Sequence, residues 1–210
     1  MTEPRHLTPF VDWPADLVLV LASRSPRRAE LLTVAGIPHE VIPAGPVEDE
    51  LAASLTDLHH DPAAYAVALA VAKAADVAAD LPGRLVLGAD TVVVLEGDIL
   101  EKPADRQDAV RLVSRLEGRK HIVVSAVALV GGPAGAVPVV AHEKTEVEFL
   151  PLTRGTIERY VATGESMDKA GAYGIQGYGA MMVRGVRGCY FNVMGLPLAR
   201  LGELLNGVLA

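Results

Sequence analysis

An unbroken apolar run at residues 17–22 passes within three residues into Ser25-Pro26-Arg27-Arg28. Apolar side chains at consecutive positions mean that both faces of an extended segment are covered, as in sheets flanked by helices. Ser25 suits an N-cap, Pro26 suits the first helical position, and Gly36 suits the helix end. A buried strand that feeds a helix at once opens an α/β unit. The rest of the chain repeats this alternation. Residues 41–49 read as a strand entering an acidic loop, and Asp61-Pro62 opens an Ala-rich helix that runs to Asp80. Residues 85–95 form a second apolar strand, with Glu96-Gly97-Asp98 as a hairpin turn. Helices are expected over 105–116 and 153–163, with strands over 121–130 and 139–150. Short strands follow at 181–186 and 189–193, and Leu196-Pro197 opens the last helix. The helical pattern is thin over 85–100 and 121–150, so the expected α/β fold has a mixed, twisted sheet with flanking helices. A single domain spans 17–210, and residues 1–16 form an extension over it with Trp13 as a packing anchor.

Composition narrows the function. Lysine and arginine number 19 against 26 acids, a net charge of −7, and aromatics are only 4%. A globally basic or base-stacking nucleic-acid binder is therefore not expected. Hydrophobic residues at 50% and charged residues at 21% exclude a largely disordered chain. A chain of 210 residues buries about 70–75% of its unfolded surface and needs no staples. Cys189 is alone, which rules out an internal disulfide or a cysteine zinc cluster and suits a cytoplasmic setting. No charge-free apolar stretch reaches about 18 residues, so no membrane partner is expected. Asp12 and Asp16 precede an apolar run too short for a signal peptide.

Four features carry chemistry. Arg27 and Arg28 stand in the first turn of a helix, where cations oppose the macrodipole by about 0.3–1 kcal/mol each. With the free N–H groups of that turn they make a phosphate cradle, unless they are simply solvated arginines paired with an acid such as Glu30. Asp90 lies mid-strand between Leu85-Val86-Leu87 and Val92-Val93-Val94. A carboxylate there is costly unless paired, hydrogen-bonded or metal-bound, so Asp90 is a candidate metal ligand or general base, or else a structural cap. Lys73, Lys102 and Lys169 are isolated cations that could line a basic cleft on an acidic protein, or could each be solvated. The segment Ala170-Gly171-Ala172-Tyr173-Gly174-Ile175-Gln176-Gly177-Tyr178-Gly179, with four glycines, allows close approach of backbone to a ligand, and Gln176 offers a donor and an acceptor to a base edge. The same segment could also be a tight irregular turn. His59-His60 reads as solvated loop and Cys189 as a small core residue.

The residues Leu21-Ala22-Ser23-Arg24-Ser25-Pro26-Arg27-Arg28, followed by Glu30-Leu31-Leu32, resemble the opening signature of the Maf family of nucleoside triphosphate pyrophosphatases. Gly88-Ala89-Asp90-Thr91, Glu101-Lys102-Pro103, Lys144-Thr145-Glu146-Val147, the run from Asp168 to Gly177, and Gly195-Leu196-Pro197-Leu198 resemble its later motifs in the same order. The resemblance spans about 17–205. It implies hydrolysis between the α and β phosphates, to a nucleoside monophosphate and pyrophosphate. It also implies a divalent metal, magnesium or manganese, and a cleft between two lobes in a protein that is often a homodimer. By the same resemblance Asp90 is the proton acceptor, and Ser23, Arg27, Arg28, Lys73 and Lys102 are phosphate-side residues. Glu48 is an acid near the metal, with Asp90. Arg27, Thr91 and Gln176 are similar to the base-side residues of the branch preferring dTTP and UTP. Two departures stand out: Glu117 replaces a usual serine, and the extension is longer than typical. Two competing functions are a phosphatase releasing orthophosphate and a nucleotide-binding regulator of cell division or septum formation with little catalysis.

Overall fold

All four residues of β1 (Leu19–Ala22) are buried, as the unbroken apolar run requires. The computed structural model describes residues 8–47, 51, 54–135 and 137–210. The other strands are β2 (His39–Val41), β3 (Val86–Leu95), β4 (Asp98–Leu100), β5 (Lys120–Val130), β6 (Val139–Phe149) and β7 (Val183–Arg187). They form one seven-stranded sheet in the order β2-β1-β3-β5-β6-β7, with β4 paired to β3. β1 runs parallel to β2 and β3, and the remaining pairs are antiparallel, so the sheet is mixed.

The fully described α-helices are α1 (Pro26–Val34), α2 (Pro62–Ala79), α3 (Arg106–Leu116), α4 (Arg154–Ala162), α5 (Tyr190–Met194) and α6 (Leu198–Leu209). Asp61 caps α2, Asp105 caps α3 and Thr153 caps α4, each accepting backbone N–H bonds of the first turn. α2 is the one helix among the described residues long and apolar enough to cross a membrane. Its residues Ala66, Leu69, Ala70, Lys73, Ala74 and Val77 recur at helical spacing and are buried, forming a core with Val20, Val86 and Val92 of the sheet. On the opposite face Leu31 and Leu32 of α1 and Leu201 and Leu205 of α6 pack with Leu19, Leu21 and Leu87. Trp13 joins that core and donates its indole N–H to the Leu17 carbonyl at 2.8 Å. A third core gathers Leu112 of α3 and Tyr160 of α4 around the far ends of β3, β5 and β6. Two lobes result, joined by the long strands β3 and β5.

Four details differ from the sequence reading. The strand expected from residue 41 onward is β2 (His39–Val41), which ends where the expectation began, and no strand follows over 42–47. Residues 189–193, expected as a strand, enter helix α5. The reason is Asn192, whose side chain accepts the Ser125 N–H and donates to the Val123 carbonyl. Those bonds tie α5 to the backbone of β5, which already has β3 and β6 as its strand partners. Residues 177–182 form a 3₁₀ helix, so β7 begins only at Val183. Cys189 is half-buried rather than a core residue, because its backbone N–H and carbonyl are both tied to Thr145 Oγ1 at the entrance to α5.

Candidate active site

The cleft is a gap in the sheet. β1 accompanies β3 only as far as the pair Ala22↔Gly88, and β4 begins at Val93↔Leu100. Between them, residues 89–92 of β3 have a strand partner, β5, on one edge alone. The chain leaving β1 turns into α1 and leaves that open edge facing a cleft of about 550 Å³. This is the usual place for a ligand in an open α/β sheet, beyond the carboxyl end of a strand.

Because β3 alternates, neighbouring residues reach the cleft from opposite faces. Asp90 points to the α2 side. There Gly88 lets α2 lie against the strand: a Cβ on Gly88 would sit 2.0 Å from the Ala70 carbonyl oxygen and 2.8 Å from the Ala74 nitrogen. That contact brings Lys73 Nζ to 2.6 Å from Asp90 Oδ1, with the two side chains 9% and 7% exposed. Removing one partner of such a buried pair is costly.

Thr91 points to the α1 side and ends a directed chain of hydrogen bonds. Asn192 donates to Thr145 Oγ1 at 2.9 Å, and Ser125 donates its hydroxyl proton to the Asn192 carbonyl at 2.8 Å. Thr91 Oγ1 lies 2.8 Å from Ser125 Oγ, whose only proton is already spent, so Thr91 donates inward. Its oxygen also accepts from Arg28 Nη2 at 3.1 Å. Toward the cleft Thr91 is therefore an acceptor. Ser23 is the converse. Its Oγ accepts the Ser25 N–H and Arg28 Nη1, which leaves its own proton to donate. Ser25 holds the N-cap position of α1 without a side-chain cap bond. Arg28 also donates from Nε to the Gly195 carbonyl at 2.8 Å, which locks α1 to the end of α5.

At the rim Arg27 donates to Asp168 Oδ2 from two nitrogens, both at 3.2 Å, and Lys169 bonds Asp168 Oδ1 at 2.6 Å. Burial pushes the Asp168 carboxyl up, but the Lys169 hydrogen bond and the Arg27 and Lys169 charges outweigh it and hold the group below the usual range. The Gly171 N–H donates to the Glu101 carbonyl at 3.1 Å, and this fixes the segment that carries Lys102.

Ser23, Arg27, Arg28, Lys73, Asp90, Thr91, Lys102 and Gln176 thus line one cleft, whereas Glu48 lies outside the described residues. Among the described residues the cleft holds Arg24, Arg27, Arg28, Lys73, Lys102 and Lys169 against Asp90, Asp168 and Glu165, an excess of positive charge on a chain of net charge −7. Sequence reasoning passed over Arg24, Glu165 and the pair Ser125–Asn192. The signal available for Asn192 was a polar residue inside an apolar run. His59 and His60 are exposed and outside the cleft.

Among the described residues no cluster of three His, Cys, Asp or Glu side chains could hold a metal alone. Magnesium commonly uses one or two carboxylates and completes its shell with substrate phosphates and water. Asp90, a carboxylate on the floor of a cation-rich cleft, fits such a substrate-completed site.

The family model for Maf-like proteins matches residues 18–208. A protein from Moorella thermoacetica named dTTP/UTP pyrophosphatase is 52% identical over 187 residues, 89% of this chain and 93% of its own. One from Symbiobacterium thermophilum with the same name is 51% identical over 189 residues, 90% and 92% of the two chains. Among solved structures, a HAM1 protein from Coxiella burnetii aligns over 91% of this chain and 93% of its own at 16% identity, with a TM-score of 0.46. The opening signature, the cleft that it builds and the match over residues 18–208 agree, and the chain belongs to the Maf family.

Proposed function

We propose that this chain hydrolyses nucleoside triphosphates, dTTP and UTP foremost, to the monophosphate and pyrophosphate. The observation that carries the reading is the gathering of the phosphate-side cations around buried Asp90 in one cleft. The names of relatives about half identical over nine-tenths of the chain supply the substrate class. The triphosphate lies against the start of α1, held by Arg27, Arg28, Lys102 and the outward O–H of Ser23. Asp90 is the acceptor for the proton of a water that attacks the α-phosphorus, and Lys73 orients it. Gln176 reads the base: its amide matches the O4 and N3–H of uracil or thymine. A divalent cation, magnesium or manganese, would be held by Asp90, with Glu48 as second acid by the family resemblance. When bound it supplies neutralisation of phosphate charge. Positioning and charge stabilisation supply most of the rate. The proposal includes a cytoplasmic setting and a free nucleotide, not nucleic acid or membrane, as partner, in a chain that forms a homodimer as many of its family do.

The test is product analysis of the purified protein with a panel of nucleoside triphosphates and magnesium or manganese. Monophosphate plus pyrophosphate, fastest with dTTP and UTP, is expected. Orthophosphate as first product would overturn the reaction. Nucleotide binding without turnover would favour a regulator instead.

A further inference from the structure

Gln176 is exposed on a loop, yet base selection needs it fixed to within a fraction of an ångström. What fixes it is Glu165, just beyond α4. Its Oε1 accepts the Gly179 N–H at 3.0 Å and the Tyr160 O–H at 3.2 Å, and its Oε2 accepts the Tyr178 N–H at 2.9 Å. The Tyr160 hydroxyl in turn accepts the Gly174 N–H at 3.1 Å. One carboxylate and one phenol thus hold the backbone on both sides of Gln176. Burial first, and then the Glu165 charge, raise the Tyr160 pKa, so its proton stays in place to donate. The loop is shaped to this anchor. Gly177 has a φ of +65°, and a Cβ there would stand 2.4 Å from Glu165 Oε2. A Cβ on Gly179 would meet the Gly174 carbonyl oxygen at 2.1 Å. The glycines let the backbone close around the carboxylate.

We infer that Glu165 is a positioning residue for base selection, holding the 174–179 loop so that Gln176 faces the base. The inference rests on the proposed reading of Gln176 as the base-reading residue. Both Glu165 oxygens are taken up by the Tyr160 hydroxyl and the loop backbone, so its loss acts on KM and on discrimination rather than on the chemical step.

The experiment compares kcat and KM for UTP and CTP in Glu165→Gln, Tyr160→Phe, Gln176→Ala and the double variant Glu165→Gln/Gln176→Ala, with thermal melting to verify folding. A glutamine at 165 keeps one acceptor oxygen but offers an NH2 group to a backbone N–H, so one anchor bond is lost. Glu165→Gln is expected to raise KM for UTP about 10-fold, change kcat little and narrow the UTP/CTP preference. Tyr160→Phe should act in the same direction by freeing the Gly174 N–H, and it supplies the test if Glu165→Gln does not fold. In the Gln176→Ala background, Glu165→Gln should leave the remaining preference unchanged. If Gln176→Ala erases the preference while the folded anchor variants keep it, Glu165 is not a positioning residue. If Gln176→Ala itself leaves the preference intact, the base reading fails, and this inference with it.

Discussion

Replacing Asp90 by asparagine separates what this residue does for stability from what it does for catalysis. Lys73 and Asp90 are 2.6 Å apart with both side chains under 10% exposed, so the substitution takes the Asp90 charge away from a buried ammonium. Breaking a buried pair costs about 3–5 kcal/mol. Asparagine retains an oxygen to accept one Lys73 N–H, which brings the expected loss to about 2–3 kcal/mol. In a chain of this length that corresponds to a fall in Tm of about 5–10 °C. The donors around the phosphates are untouched, so dTTP should still raise the Tm. Loss of the proton acceptor should lower kcat by about 10²–10⁴-fold. The double variant Lys73→Met/Asp90→Asn removes the cation together with the Asp90 charge and should recover part of the stability, since replacing both members of a buried pair costs less than removing one. It should not recover turnover. Pyrophosphate release and thermal melts with and without dTTP measure each quantity. Wild-type turnover in Asp90→Asn, or turnover returning with stability in the double variant, would refute the assignment.

Gly88→Ala should be among the most damaging small substitutions, because the added methyl meets two backbone atoms of α2 that cannot yield. A loss of about 3 kcal/mol, together with lost turnover as Lys73 leaves Asp90, is expected, and a variant with normal Tm and activity would contradict the packing argument. His121 is 2% exposed, with Nε2 on the Tyr173 hydroxyl at 2.8 Å, and burial lowers its pKa from 6.5 to about 4. The folded imidazole stays neutral while the unfolded one gains a proton, so stability present above pH 6.5 is lost as pH falls toward 4, by roughly 3 kcal/mol. Urea titrations from pH 7 to 4 should show a shallower decline in His121→Gln, and an unchanged decline would exclude His121 as its source.

The sequence displayed local chemistry and concealed most of the partnerships. The α1 start, the apolar strands and the helix caps followed from residues adjacent in the chain, and the structure keeps them. Lys73 was visible because it breaks an apolar helical stripe, and Asp90 because it breaks an apolar strand. That these two irregularities answer each other depends on α2 lying flush against β3 at Gly88, a contact between elements. Residues 189–193 failed for a related reason. Their composition suits a strand, but Asn192 satisfies the backbone of β5 with its side chain, and only the tertiary arrangement decides between the two. Glu165 gave no signal because a glutamate after a helix is ordinary, and its role appears only when the loop folds back on it.

The open edge of β3 explains how a dipeptide can serve two functions. In a fully paired strand, consecutive side chains enter separate compartments on opposite faces of a sheet. Here the sheet is interrupted between Gly88 and Val93, so both faces open into the same cleft. Asp90 comes with a cation from α2, and Thr91 with a hydrogen-bond chain that begins at Asn192. The direction of that chain matters as much as its members. With its proton committed to Ser125, Thr91 offers the cleft a lone pair, while Ser23, across Arg28, offers a proton. Arg28 holds both oxygens, so the donor and the acceptor are set at a fixed separation by one rigid guanidinium. A ligand that presents an acceptor to Ser23 and a donor to Thr91 is favoured over one with the reverse pattern before Gln176 is engaged.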